Sequence, residues 1–262
     1  MLFFRRSPIA YCFDLSRFEE GNPMKYGIIT DIHNNVTALR AVLKRLEQMN
    51  CGKIICCGDI IGIGPEPEET VQEMIRIPGL ISVRGNHESY LLEGMPTEYP
   101  NEEHMSLGEM EHHRWEHRLL SEASVAFLRG LPKRIDFISE GLSISVLHSC
   151  IGQNGRYSKS VRNPTESDLQ TMFTDVKSDI ILYGHDHTTN ICWGDKLYIN
   201  VGSLGCPSKE HNIARAGILD IEKGKTAIKL IEVIYDVDEV IRQIDALHYP
   251  ESEIIKKYFY GL

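Results

Sequence analysis

The chain has 262 residues, 42% of them hydrophobic and 25% charged, which is the make-up of a globular protein with a core and excludes collagen, coiled coil and wholesale disorder. Lys and Arg number 28 against 37 Asp and Glu, a net charge of −9 that argues against wrapping long nucleic acid or binding an anionic membrane. Histidine, at 11 residues, is the outlier. The seven cysteines are odd in number and form no C-x-x-C pair, so neither a disulfide framework nor a zinc ribbon is indicated. Cys56 and Cys57 lie in an apolar run before Gly58, and buried free thiols fit a reducing, cytoplasmic setting. No apolar stretch reaches the roughly 18 residues of a membrane helix.

Residues 1–23 read as an N-terminal extension or an upstream start, because Met24 opens at once onto a core strand. Residues 24–262 read as a single domain with a helical cap insertion at about 93–130. In chain order, Tyr26–Thr30 is a short apolar strand. Val36, Leu39, Val42, Leu43, Leu46 and Met49 recur at helical spacing. Lys53–Cys57 is a buried strand, Pro67 opens a helix through Met74 and Ile75, and Leu80–Val83 is a third strand. This β-α-β-α-β order implies a parallel sheet. Residues 93–118 are polar and His-rich and break the rhythm. Ser121 is an N-cap for a helix ending near Gly130, and Ile135–Ile138 pairs with Leu142–Leu147 around Gly141. Thr165 and Asp168 form a capping-box pattern before a helix through Phe173. Ile180–Tyr183, Ile191–Trp193, Leu197–Val201, Ala216–Ile221 and Thr226–Ile234 are strand-like, and Asp236–Leu247 closes as a helix.

Five segments end expected strands with metal-binding side chains: Asp31-Ile32-His33, Gly58-Asp59, Gly85-Asn86-His87-Glu88, His148, and Gly184-His185-Asp186-His187. Strand C-termini in open α/β sheets are where ligand sites form. Alternation in an extended segment lets Asp31 and His33 aim to one side, and His185 and His187 likewise. Mixed Asp, His and Asn donors suit Mn, Fe or Zn better than Mg or Ca, and Asp59 is the natural carboxylate to bridge two ions. Each piece alone is an ordinary loop; five in order at strand ends are not.

In these motifs the chain resembles the calcineurin-like metallophosphoesterases, whose pattern is D-x-H, G-D, G-N-H-[DE], H and G-H-x-H. The segments Gly58-Asp59-Ile60-Ile61-Gly62 and Asn200-Val201-Gly202-Ser203 are most similar to the small bacterial phosphodiesterase branch. The resemblance implies a four-layer α/β/β/α sandwich with two mixed sheets and a dinuclear site. It implies that Asp31, His33, Asp59 and His187 hold one metal, and Asp59, Asn86, His148 and His185 the other. The cofactors implied are two divalent or mixed-valence transition metals, Mn or Fe before Zn or Ni. His87 is implied as the residue facing the leaving group, and a hydroxide between the metals as the nucleophile. Gly62 occupies the place where protein phosphatases of this family carry an Asp that steadies that histidine, so the orienting partner of His87 is open.

The resulting expectation is a phosphoesterase acting on phosphodiester or phosphoanhydride bonds of a small nucleotide-like substrate, such as a dinucleoside polyphosphate. The rivals are a phosphoprotein or small-molecule phosphomonoesterase, and a catalytically silent metal-binding scaffold. Asn35, Arg156 and Tyr157 are candidate substrate contacts; the stretch Gln153–Asn163 carries Arg156, Lys159 and Arg162 with no acid, and otherwise reads as a solvated loop. His104, His112, His113 and His117 invite a third metal site but read rather as a solvated cap helix, with Glu111 and Glu116 on its surface.

Overall fold

Strand β1 (Met24–Ile29) shows how the sequence builds the fold. Tyr26 and Ile28 enter the core between two sheets, while Ile29 faces the opposite way, into a core shared with helices. The computed structural model describes residues 24–158, 161–206, 210 and 212–262; the expected extension 1–23, Lys159 and His211 lie outside the described residues. The elements that follow β1 are α1 (Val36–Gln48), β2 (Lys53–Cys56), α2 (Pro67–Ile75), β3 (Ile81–Ser82), α3 (Asn86–Glu93), α4 (Leu107–His117) and α5 (Glu122–Gly130). Then come β4 (Arg134–Ser139), β5 (Leu142–Leu147), α6 (Glu166–Met172), β6 (Ile180–Tyr183), β7 (Thr189–Trp193), β8 (Leu197–Val201), β9 (Ile213–Glu222), β10 (Lys225–Ile234), α7 (Val237–Leu247) and α8 (Ser252–Phe259).

The strands form two five-stranded sheets, ordered β10-β9-β1-β2-β3 and β4-β5-β6-β8-β7. The expected parallel unit is present, with Ile28 opposite Ile55 and Ile55 opposite Ile81. The hairpin β9–β10 adds antiparallel to β1, which makes the sheet mixed. In the second sheet β5, β6 and β8 are parallel, with β4 and β7 antiparallel at the edges.

The sheets pack face to face through Tyr26, Ile28, Ile55 and Val83 on one side and Ile144, Val146, Leu182 and Ile199 on the other. The buried Tyr26 hydroxyl donates across this layer to Ser139 Oγ at 2.9 Å, so its polar end is satisfied. Outside the first sheet, Leu39, Leu46, Met74, Val240 and Ile255 close a helical layer; outside the second, Leu169 and Phe173 cover Ile181 and Tyr198. The order of layers is therefore α/β/β/α. Truncating a fully buried member such as Leu39 to Ala would cost about 2–5 kcal/mol.

Ser121 and Thr165 cap their helices as expected, each accepting from the backbone three residues on. Helices α3 and α8 are additions to the sequence expectation. Helix α8 begins just after Tyr249-Pro250, at a left-handed Glu251 with φ 67°. Among the described residues no helix is long and apolar enough to cross a membrane.

Candidate metal centre

The loops leaving β1 and β2 lock together through their backbones. Asp31 N–H donates to Gly58 O at 3.0 Å, Ile32 N–H to Asp59 O at 2.8 Å, and His33 N–H to the same oxygen at 3.1 Å. The loop after β6 joins them, because Gly184 N–H donates to His148 O and His185 N–H donates to both carboxylate oxygens of Asp31, the latter at 3.1 Å. The C-terminal ends of β1, β2, β3, β5 and β6 thus meet at one place, and all seven expected ligands converge there.

Two sub-clusters share Asp59. In one, His33 Nε2 lies 2.9 Å from His187 Nε2, 3.8 Å from Asp31 Oδ1 and 4.0 Å from Asp59 Oδ2. In the other, His148 Nε2 lies 3.1 Å from Asp59 Oδ2, 3.0 Å from Asn86 Oδ1 and 3.2 Å from His185 Nδ1. Asp59 Oδ1 also accepts from the His87 backbone N–H at 3.1 Å. Gly85 makes this approach possible, since a Cβ there would fall 2.0 Å from Asp59 Oδ1.

The imidazoles are set up to donate electron pairs inward. His33 Nδ1 hydrogen bonds to Ile61 O at 3.2 Å and His148 Nδ1 to Cys57 O at 2.9 Å, which turns each Nε2 toward the carboxylates. Such outer hydrogen bonds fix the tautomer of metal-ligating histidines. With a proton on its Nδ1, a neutral His33 presents a lone pair at Nε2, which can accept from His187 Nε2–H across the 2.9 Å contact or be given to a metal. Asp31, His33, Asp59, His185 and His187 all have positive φ, from 51° to 79°, a conformation that residues other than glycine rarely hold. Among the described residues fourteen positions other than glycine have positive φ, and five of them are expected ligand positions.

Electrostatics agree. Burial would raise Asp31 and Asp59, but His187 holds Asp31 down and His148 and His87 hold Asp59 well below the usual carboxylate range. Burial and the neighbouring His187 lower His33 to about 4; burial and His148 do the same to His185. Burial opposes protonation of His148, yet Asp59 overrides it and lifts the imidazole to about 9. The donor set of carboxylates, imidazoles and one amide is thus chemically suited to borderline transition metals. Cys206, which no motif pointed to, lies with His33 and His187 so that their ligand atoms are within 4.8 Å of one another. Burial keeps its thiol pKa high, against a ready thiolate.

Glu88 carries no metal-facing role. It is fully buried, Oε1 accepts from Ile60 N–H at 2.8 Å and Ile61 N–H at 3.0 Å, and Oε2 accepts from Asp59 N–H at 3.1 Å and Gly85 N–H at 2.5 Å. One carboxylate therefore ties the Asp59 loop to the Asn86 loop.

His87 stands beside the cluster, its Nε2 3.9 Å from Asp59 Oδ2 and its ring 4.9 Å from that of His33. Its other face meets α4, which corrects the expectation of a solvated helix. His112, His113 and Glu116 are buried, with Glu116 wholly so. Glu116 Oε2 accepts from Asn34 Nδ2 at 2.7 Å and from Gly62 N–H at 2.8 Å, and Oε1 bonds His113 Nδ1 at 2.6 Å. His112 Nε2 accepts from Ile63 N–H at 3.0 Å. The polar face of α4 is thus turned inward, onto the loops after β1 and β2. The sequence signal was available in the 113/116 spacing, which places both side chains on one helix face.

The substrate candidates fare differently. Asn35 is not in the cleft: it is fully buried, its Oδ1 caps α1 by accepting from Ala38 N–H at 2.9 Å, and its Nδ2 donates to Gly205 O at 3.3 Å. Both ends of that amide are engaged in structure. Arg156 and Tyr157 do reach the mouth of the site, in a pocket bordered by Asn86, Tyr90 and Glu103. Arg156 pairs with Glu103 at 3.2 Å, an acid contributed from outside its own loop. Tyr157 donates to Arg84 O and sets its ring edge-on to His148 at 5.5 Å.

A two-sheet α/β/β/α fold with a His/Asp cluster at the strand ends defines a class of metal-dependent phosphoesterases. The chain belongs to the calcineurin-like phosphoesterase superfamily, whose domain matches residues 24–224. It is similar to an uncharacterised protein of Methanocaldococcus jannaschii, 29% identical over 247 residues that cover 86% of this chain and 93% of that one. Among solved structures it resembles a hypothetical protein of Pyrococcus horikoshii, with TM-score 0.76, 19% identity, and coverage of 91% of this chain and 99% of that one. It also resembles a metallophosphoesterase from Sphaerobacter thermophilus, with TM-score 0.68, 21% identity, and coverage of 92% and 100%. At these identities the two structures establish the shared fold.

Proposed function

We propose that the chain is a dimetal-dependent phosphoesterase that hydrolyses a phosphodiester or phosphoanhydride bond in a small nucleotide-like substrate. The observation that carries this reading is the convergence of Asp31, His33, Asp59, Asn86, His148, His185 and His187 around the shared Asp59 carboxylate. Asp31, His33, Asp59 and His187 would hold one ion; Asp59, Asn86, His148 and His185 would hold the second. Mn or Fe suits the donors first, then Zn or Ni. Two such ions, when bound, supply Lewis acidity at the phosphoryl oxygens and lower the pKa of water so that a nucleophile exists at neutral pH.

The chain's own residues do the rest. Asp59 fixes the separation of the two half-sites by serving both. The Nδ1 bonds of His33 and His148 keep those rings from turning as charge builds up on the phosphoryl group. His87, with Nε2 toward the cluster, donates a proton or hydrogen bond to the departing oxygen, a contribution of about 10²–10⁴-fold. Arg156, Tyr157 and Tyr90 line the outer pocket, where a second phosphate or a base would lie. Buried unpaired thiols at Cys56, Cys57 and Cys206 support a reducing, cytoplasmic setting.

The test is to load the protein with Mn and compare a phosphodiester, a phosphomonoester and a dinucleoside tetraphosphate. Preference for the first or third supports the reading. Preference for the monoester moves the protein to the phosphomonoesterase alternative, and turnover of none leaves a metal-binding scaffold.

A further inference from the structure

Two buried imidazole nitrogens beside the metal centre have no hydrogen-bond partner among the described residues: Nδ1 of His87 and Nε2 of His113. Their rings face each other with centroids 5.0 Å apart and planes at 53°. The side chain of His113 is 1% exposed and that of Glu116 0%, so neither is a surface group turned inward by chance. An orphaned buried nitrogen costs about 1–3 kcal/mol, and these two, neighbouring but not bonded to each other in this arrangement, would each gain a partner from a small shift that brings them together.

The surroundings fix which way each ring points. Nε2 of His87 faces Asp59, so Nδ1 looks away from the cluster. On that side lies Gly62, whose φ is +97° and whose added Cβ would fall 2.2 Å from His87 Nδ1. No side chain at position 62 could serve that nitrogen. Gly62 instead gives its N–H to Glu116 Oε2, and Glu116 Oε1 holds His113 Nδ1 at 2.6 Å. His113 Nε2 is then the ring atom left for His87. Tyr90 packs against both rings, at 5.8 Å and 5.2 Å, and restricts both from swinging away.

We infer that His113, anchored by Glu116, is the positioning residue for His87: a small rotation from the arrangement seen lets its Nε2–H donate to His87 Nδ1, which keeps the His87 proton on Nε2, toward the leaving oxygen. Burial disfavours charge on His113, but the Glu116 carboxylate 2.6 Å from Nδ1 overrides it and raises its pKa, which favours the form with a proton on each ring nitrogen. The arrangement is a carboxylate–imidazole–imidazole relay delivered from α4. This inference rests on the proposed role of His87 and names the group that supports it.

Proton donation matters for a strongly basic leaving group and little for a nitrophenolate, which departs unaided. The experiment therefore measures, on the Mn-loaded protein, the ratio of kcat/KM for an alkyl phosphodiester to that for a nitrophenyl phosphodiester. His87→Ala should lower this ratio, and His113→Leu should lower it by about 10–100-fold, the usual cost of losing an outer-shell partner. His113→Gln, whose amide can still donate to Nδ1, should recover part of it. The His87→Ala/His113→Leu double variant should fall no further than His87→Ala alone. Metal content, measured in parallel, should stay at the wild-type value in the His113 variants and reports that they fold. An unchanged ratio in metal-loaded His113→Leu, an additive double variant, or no rescue by Gln would overturn the inference while leaving the proposed activity intact. Failure of the wild type to hydrolyse either diester would overturn the inference, and failure on a dinucleoside tetraphosphate as well would overturn the proposed activity too.

Discussion

Glu88→Gln isolates the device that aligns the two ligand loops. The wild-type carboxylate accepts four backbone N–H groups, from Asp59, Ile60, Ile61 and Gly85. Glutamine keeps one oxygen and turns an NH₂ group onto the other pair, so two charge-assisted hydrogen bonds are lost. At about 1.5–3 kcal/mol each, the cost is about 3–6 kcal/mol. For a chain of this length that corresponds to a fall in Tm on the order of 10 °C. Burial and the Asp59 charge raise the Glu88 carboxyl, so the comparison belongs at pH 8.5, where the side chain is ionised. Urea unfolding of the metal-free proteins in a chelator measures the effect without metal linkage. Glu111→Gln, on the exposed face of α4, is the control and should stay within about 0.5 kcal/mol. A loss below about 1 kcal/mol in Glu88→Gln would show that the four contacts do not hold the loops.

Asp59→Asn should strip both half-sites, weakening metal binding by more than the roughly 10–100-fold typical of an outer-shell loss; isothermal titration with Mn measures it, and retained affinity contradicts the shared carboxylate. Gly62→Ala places a Cβ 2.2 Å from His87 Nδ1 at φ +97°, so turnover should fall while bound metal is unchanged, with a stability loss of about 1–3 kcal/mol. In the metal-free protein His148 has a pKa raised from 6.5 to about 9. Its contribution is full below about pH 6.5 and is lost as pH rises through about 9, a change of about 3 kcal/mol at roughly 1.4 kcal/mol per unit. The difference in Tm between wild type and His148→Gln should therefore shrink over that range, and a difference that grows would contradict the Asp59–His148 pairing.

Much of the fold was legible because the core strands are short apolar runs with clear ends, as in Ile180–Tyr183, and because caps such as Thr165 with Asp168 are local. The seven clustering side chains were legible for a related reason: each lies within a few residues after the end of a strand, in a short motif, so its position in sequence fixes its position in the fold. Helix α4 was misjudged as solvated because its buried face is polar. His112, His113 and Glu116 are inside to hydrogen bond loop backbones, and hydrophobic periodicity does not register such a face. Asn35 was misassigned because a helix N-cap and a substrate contact call for the same residue type. Arg156 looked unopposed because Glu103 lies 53 residues away in sequence. Cys206 had no local signal at all, since only the tertiary fold brings it to His33 and His187.

The most direct test of a two-ion centre built on a shared Asp59 is a titration of the metal-free protein with Mn, reading bound metal and phosphodiester hydrolysis in the same samples. Two ions should bind per chain, and hydrolysis should rise only as the second site fills, reaching a plateau at two equivalents. Saturation at one ion, or full occupancy of two with no hydrolysis, would contradict it.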